Sequence, residues 1–221
     1  MNRVDYRLNA IVDSSLRDAG DLAALAALAA RNGATVVQYR DKDASTRAMV
    51  AQAAAIRAAL AGTGVPLLVN DRVDVALAAG ADGVHLGRDD MEPAAARRLL
   101  GPAAIIGLTV KNGADAEAAI AAPVDYACIG GVFATLSKQN PDAPLGLDGF
   151  AALRARIAAA RPGLPVGAIA GIDEARASEA VRAGADGVAV ISAIFRAPDI
   201  AAATRALRRA VDEALQEKKT A

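Results

Sequence analysis

The chain has one cysteine, Cys128, and one histidine, His85. A lone cysteine excludes an internal disulfide framework and suits a reducing compartment. Aromatic residues are scarce, at 3%, although 54% of the chain is hydrophobic. Alanine fills the difference, as expected where many helices pack closely. Neither sign of charge dominates: Lys plus Arg and Asp plus Glu each number 25. No global field therefore draws the chain to nucleic acid or to an anionic membrane, and recognition of phosphate has to come from local charges. No window approaches the roughly 18 uninterrupted apolar residues of a spanning helix, and the opening MNRVDYRLNAIVD has no apolar signal core. The expectation is a soluble, cytoplasmic protein. Ser-His-Asp, HExxH, CxxC and Walker A patterns are also missing. No GxGxxG follows the first strand-like run, which argues against a dinucleotide cofactor.

What is present is an alternation. Short runs rich in Val, Ile and Leu begin near Tyr6, Ala34, Val65, Gly83, Ile105, Tyr126, Pro165 and Gly187. Between them lie Ala/Leu/Arg-rich segments with helical spacing, such as Asp21–Arg31, Ser45–Ala61, Leu147–Ala160 and Ile200–Gln216. Strands alternating with helices predict βαβ units and a parallel sheet. Eight units in a chain of 221 residues predict a closed barrel, an α/β fold of the (β/α)8 TIM-barrel class, as a single domain over 1–221. A repeat supports closure. Ala79-Gly80-Ala81-Asp82-Gly83-Val84 recurs as Ala183-Gly184-Ala185-Asp186-Gly187-Val188, with Asn32-Gly33-Ala34-Thr35-Val36-Val37 as a looser copy. Each copy falls where a helix stops at glycine and a strand begins. No linker or charge block divides the chain, and Glu217–Ala221 reads as a frayed helix end.

In such barrels the active site lies at the carboxyl ends of the strands. The second run ends in Gln38-Tyr39-Arg40-Asp41-Lys42. Side chains alternate along a strand, so Gln38 and Arg40 share a face and, aimed at the barrel mouth, converge with Lys42. The alternative is a solvated rim salt bridge. The third run ends in Asn70-Asp71-Arg72 and the fourth in Gly87-Arg88-Asp89-Asp90. Neighbouring strand ends bring Asp71 and Asp90 within reach of one small cation. Mg²⁺ suits them, since it takes one or two carboxylates and completes its shell with phosphate oxygens and water. Otherwise each aspartate caps the helix after it.

The sixth run leads into Gly130-Gly131 and then Thr135-Leu136-Ser137-Lys138, with two hydroxyls and a compact positive charge for phosphate. The last two runs end near Gly171 and Ile191-Ser192, where many barrels bind phosphate on backbone N–H groups. The alternative there is a turn glycine and a cap serine. His85 reads either as a packed barrel histidine or as a group lining the site near the cation. Cys128 reads as a small core hydrophobe.

Taken in order, Gln38-x-Arg40-x-Lys42, Asn70-Asp71-Arg72, Gly83-Val84-His85-Leu86-Gly87-x-x-Asp90, Thr135-x-Ser137-Lys138 and Val190-Ile191-Ser192 resemble the thiamine phosphate synthase family over nearly the whole chain. The resemblance implies a transferase that joins a pyrimidinylmethyl diphosphate to a thiazole phosphate and releases pyrophosphate. It assigns Gln38, Tyr39, Arg40, Asp41, Lys42, Asn70, Thr109 and Lys138 to the pyrimidine diphosphate, with Arg40, Lys42 and Lys138 catalytic. It assigns Asp71 and Asp90 to Mg²⁺, and Thr135, Leu136, Ser137, Gly171, Ile191 and Ser192 to the thiazole phosphate. The implied partners are small phosphorylated molecules, with neither nucleic acid nor membrane; a homodimer is left open.

Four positions depart from the family pattern. Thr109 replaces Ser and keeps the hydroxyl. Ala134 stands where Pro is usual, and Lys111 where His is usual. Ala170 replaces the first residue of a Gly-Gly pair and is strained if the backbone there needs a positive φ. Two other readings compete with the synthase. A thiazole tautomerase on this fold is expected to need a histidine where Lys111 stands. A barrel that only binds thiazole phosphate has no need of the paired aspartates or Lys138.

Overall fold

Runs of Val, Ile and Leu bounded by glycine become short strands, and the alanine-rich segments between them become helices. The computed structural model describes residues 4–19, 21–134 and 143–220. Its strands are β1 (Leu8–Asp13), β2 (Val36–Arg40), β3 (Leu67–Asn70), β4 (Gly83–Leu86), β5 (Ile105–Val110), β6 (Tyr126–Ile129), β7 (Val166–Ile169) and β8 (Gly187–Val190). Its helices are α1 (Leu22–Arg31), α2 (Thr46–Ala59), α3 (Val73–Ala79), α4 (Pro93–Leu100), α5 (Gly113–Ala121), α6 (Gly146–Ala160), α7 (Glu174–Arg182), α8 (Ser192–Phe195) and α9 (Ile200–Thr220). A 3-10 turn over Ser14–Ala19 follows β1. Each strand pairs in parallel with the next, and β8 returns to β1, closing the barrel. The expected (β/α)8 class is the observed one, and every strand begins within two residues of its expected start.

The repeat has a structural purpose. The Asp82 carboxylate accepts the N–H of Leu67, the first residue of β3, at 2.8 Å. Asp186 does the same for Val166, the first residue of β7, at 2.9 Å. In the looser copy the Thr35 hydroxyl takes the N–H of Leu8 at 2.9 Å. Each polar side chain thus satisfies a strand-start donor that burial would otherwise leave unpaired. Asp125, outside the repeat, takes the N–H of Ile106 at 2.8 Å in the same way.

Helix ends follow side-chain caps where the sequence supplies them. Asp21 accepts from Ala23 N at 3.0 Å, and Ser45 from Ala48 N at 3.4 Å. Alanines on the inner helix faces, among them Ala26, Ala29, Ala53, Ala76 and Ala119, are fully buried and let the helices lie close on the strands. The last helix corrects an expectation. α9 runs to Thr220 rather than fraying after Gln216, because Glu217 pairs with Arg182 at 2.9 Å and Lys218 Nζ reaches Ala185 O at 3.4 Å. Among the described residues no helix is long and apolar enough to cross a membrane.

Candidate active site

Strand register sets out the site. β1 places Asp13 beside Arg40 of β2, β3 places Asn70 beside His85 of β4, and β5 places Thr109 beside Cys128 of β6. Two connected chambers open at these carboxyl ends. The inner one is bounded by Gln38, His85 and Thr109 on one side and by Gly171, Ile191 and Ser192 on the β7–β8 side. The outer one gathers Arg40, Lys42, Asn70, Asp71 and Asp90. His85, Thr109 and Lys111 border both.

The outer chamber is rich in charge. Arg40 Nη1 donates to Asp13 Oδ2, and Lys42 Nζ to Asp71 Oδ2. The rim ion pairs that the alternative reading expects are therefore present. Arg40 nonetheless keeps its Nε buried with no partner among the described residues. A buried unpaired donor is costly unless a ligand completes it. Asp13 was not singled out in the sequence. Burial raises the pKa of its carboxyl, but Ser15 and Arg40 outweigh that and hold it below the usual range. Asp115 and Arg88 form a second such pair, at 2.9 Å, and Asp115 also takes the Lys111 N–H.

Asp71 and Asp90 do not cap helices. The residues that cap α3 and α4 are Arg72 and Glu92, and neither makes a side-chain cap bond. Asp71 sits just beyond β3 in the left-handed region, with φ 63°. Its N–H is tied to His85 O at 2.8 Å. Aspartate tolerates this conformation better than most residues. Asp90 Oδ2 accepts the Gly87 N–H at 2.6 Å. Burial and the adjoining Asp71 carboxyl both push the Asp90 pKa up, against the pull of Gly87 N–H and Lys42. Two carboxylates are thus brought face to face, an arrangement that can hold a small hard cation. Among the described residues no group of three or more His, Cys, Asp or Glu forms a larger cluster.

Other residues fall where the sequence did not suggest. Tyr39 and Asp41 line neither chamber. Tyr39 Oη donates to Asp41 Oδ2 at 3.1 Å, and Asp41 Oδ1 takes the N–H groups of Asp43 and Ala44, both at 3.0 Å. Their side chains build the turn between β2 and α2. Cys128 is buried as expected, yet it forms part of the inner wall. His85 is packed, at 8% exposed, and borders both chambers. Thr135, Leu136, Ser137 and Lys138 lie outside the described residues.

The β7 end carries the strain that its sequence suggested. Ala170 has φ 91° and Gly171 φ 64°. The backbone is held there because Val132 N–H and Phe133 N–H donate to Ile169 O and Ala170 O, at 3.3 and 3.2 Å. A Cβ on Gly171 would lie 2.3 Å from Ala134 O. Arg176 braces the loop, donating to Gly171 O at 2.9 Å and lying 5.0 Å over the Phe133 ring. Ala170→Gly should therefore stabilise the fold, by about 0.5–1 kcal/mol once the greater freedom of the unfolded glycine is subtracted. The midpoint of urea unfolding should rise with its slope unchanged. A lower midpoint would show that the methyl group packs for more than the strain costs.

Comparison with known proteins agrees with this geometry. A model of the thiamine monophosphate synthase family matches residues 8–194. The thiamine-phosphate synthase of Agrobacterium fabrum is 64% identical over 99% of both chains. That of Chloroflexus aurantiacus is 46% identical over 97% of this chain and 96% of its own. The structure of thiamine phosphate pyrophosphorylase from Pyrococcus furiosus superposes with a TM-score of 0.83 at 36% identity, covering 96% of this chain and 98% of that one. By sequence, barrel and strand-end residues together, this chain belongs to the thiamine monophosphate synthase family.

Proposed function

We propose that this protein is a transferase that condenses 4-amino-2-methyl-5-pyrimidinylmethyl diphosphate with 4-methyl-5-hydroxyethylthiazole phosphate, giving thiamine phosphate and pyrophosphate in thiamine biosynthesis. The observation that carries this reading is the joined pair of chambers. The inner one has Gln38 and Thr109 facing Gly171, Ile191 and Ser192, and the charged outer one adjoins it at Thr109. Two ring-bearing substrates in the inner chamber would have one diphosphate directed outward. Gln38 and Thr109 offer polar atoms to the pyrimidine. Asn70, Arg40 and Lys42 meet its diphosphate, and the unpartnered Arg40 Nε is a donor awaiting an oxygen. Gly171, Ile191 and Ser192 hold the thiazole phosphate. By family resemblance Thr135, Leu136 and Ser137 join that second group, and Lys138 joins the diphosphate.

Asp71 and Asp90 fit Mg²⁺ by donor type, as two hard carboxylates beside a diphosphate site. When bound, the ion supplies positive charge to the leaving group. The remaining work is that of the chain. Arg40, Lys42 and Lys138 stabilise charge growing on the departing pyrophosphate. The β7–β8 side fixes the thiazole nitrogen on line with the reacting carbon. The partners are these small phosphorylated molecules, without nucleic acid or membrane, and the setting is cytoplasmic.

The test supplies purified protein with both substrates and Mg²⁺. Thiamine phosphate and pyrophosphate should appear in equal amounts. Thiazole isomerisation without pyrophosphate would instead indicate a tautomerase, a reading weakened by Lys111 standing where that histidine is needed. Tight thiazole phosphate binding with no product would indicate a binding protein.

A further inference from the structure

His85 is the one histidine of the chain, and both ends of its ring are engaged. Nδ1 lies 2.8 Å from the Tyr126 hydroxyl, and Nε2 lies 2.8 Å from Thr109 Oγ1. Tyr126 reaches His85 from β6 by crossing Gly107, where a Cβ would come within 2.0 Å of its ring. The Tyr126 ring stacks on His85 and, from its other neighbours, on Tyr6, with centroids 5.5 and 4.3 Å away. The three residues form a line from the barrel interior to the chamber wall.

The direction of the hydrogen bonds along this line follows from what each group can give. Tyr126 is fully buried, and burial holds its pKa well above the ordinary phenol value, so its hydroxyl keeps its proton. Among the described residues the hydroxyl has one hydrogen-bond partner, His85 Nδ1. A buried O–H without an acceptor is disfavoured, so Tyr126 donates to Nδ1. An Nδ1 that accepts leaves the neutral imidazole with its proton on Nε2. Nε2–H then donates to Thr109 Oγ1. A hydroxyl has one proton and two lone pairs. With a lone pair of Thr109 engaged by His85, its proton is directed to the chamber.

We infer that Tyr126 and His85 are positioning residues that set Thr109 as a hydrogen-bond donor, so that the ligand of the inner chamber must present an acceptor there. This rests on the reading of the chamber as the pyrimidine diphosphate site, where a ring nitrogen or a phosphate oxygen is such an acceptor. Neither His85 nor Tyr126 needs to touch the substrate.

The single histidine makes the inference directly observable. In ligand-free protein labelled with ¹⁵N at histidine, Nδ1 should show the unprotonated, pyridine-type resonance and Nε2 the protonated, pyrrole-type one. Tyr126→Phe should shift both toward a mixture of tautomers. A protonated Nδ1 in the wild type, or an unchanged spectrum in Tyr126→Phe, would overturn the assignment. A kinetic cycle supplies the second arm. Tyr126→Phe should lower kcat about tenfold, the equivalent of one misdirected hydrogen bond. Thr109→Val should lower it at least as much, and the double variant should be no slower than Thr109→Val alone. Losses that multiply would mean that Tyr126 does not act through Thr109. The spectrum needs no turnover. A wild-type protein without synthase activity would therefore refute the functional reading while leaving the tautomer to be decided on its own.

Discussion

Asp71→Ala and Asp90→Ala should each abolish measurable synthase turnover while the barrel stays folded. Both carboxylates stand on neighbouring strand ends in the outer chamber, and neither has a helix to cap. Their proximity works against stability. Burial and the Asp71 carboxyl raise the Asp90 pKa above its unfolded value. An acid whose folded pKa is raised favours folding below the unfolded pKa, and loses that contribution as pH rises through the folded pKa. At neutral pH without divalent cation, the ionised Asp90 is therefore a liability. Asp90→Asn keeps an oxygen for the Gly87 N–H and removes the charge. It should be inactive, yet more stable than wild type in chelator at neutral pH. That gain should fade as the pH falls below the carboxylate range. Urea unfolding with chelator at several pH values, and turnover with Mg²⁺, test both halves. A variant with wild-type activity at limiting Mg²⁺ would remove that residue from the cation site. A variant that unfolds more easily at neutral pH would show that the carboxylate is there for the fold.

Much of this molecule can be read along the chain because its determinants are local. The β-branched runs set the strands, and Asp21 and Ser45 set helix starts. Strain at Ala170 was expected from the family resemblance, in which the position belongs to a Gly-Gly pair, if the backbone there takes a positive φ; its φ of 91° agrees. What escaped reading depends on register between strands. Asp13 ends β1 much as Arg40 ends β2, but only the parallel pairing makes them neighbours. Tyr126 meets His85 by crossing β5 at Gly107, a contact between residues 41 positions apart. Tyr39 and Asp41 show the opposite case, in which neighbours in sequence part in space. They adjoin Gln38, Arg40 and Lys42 in sequence, and strand alternation turns the Tyr39 side chain away from the mouth. Asp41 then serves the following turn. The repeat was visible, but its purpose required seeing which strand-start N–H each Asp82, Asp186 or Thr35 receives.

The order of bond changes yields the remaining large effect. Among the described residues, the inner chamber is lined without a carboxylate, whereas Arg40, Lys42, Asp71 and Asp90 collect in the outer one. Cys128 in the inner wall is 1% exposed and lies within β6, paired with Thr109 of β5. That is a poor position from which to attack a substrate carbon. On the proposed reading, the charged groups collect around the leaving diphosphate, and the inner chamber adds only Lys111, at its border with the outer one; that distribution favours bond breaking ahead of bond making. Positive charge then builds on the pyrimidine methylene, and the electron-rich aminopyrimidine has to bear it. Replacing the ring methyl with trifluoromethyl withdraws electron density from that centre. The chemical step should slow by about three powers of ten or more, each tenfold loss corresponding to about 1.4 kcal/mol of barrier. Binding should change far less, because the diphosphate contacts of the analogue are unaltered. Single-turnover rates for the two pyrimidines at saturating thiazole phosphate measure the difference. An analogue that reacts within a few-fold of the natural substrate would mean that the thiazole nitrogen attacks before the diphosphate leaves, and the charges of the outer chamber would then serve binding rather than departure.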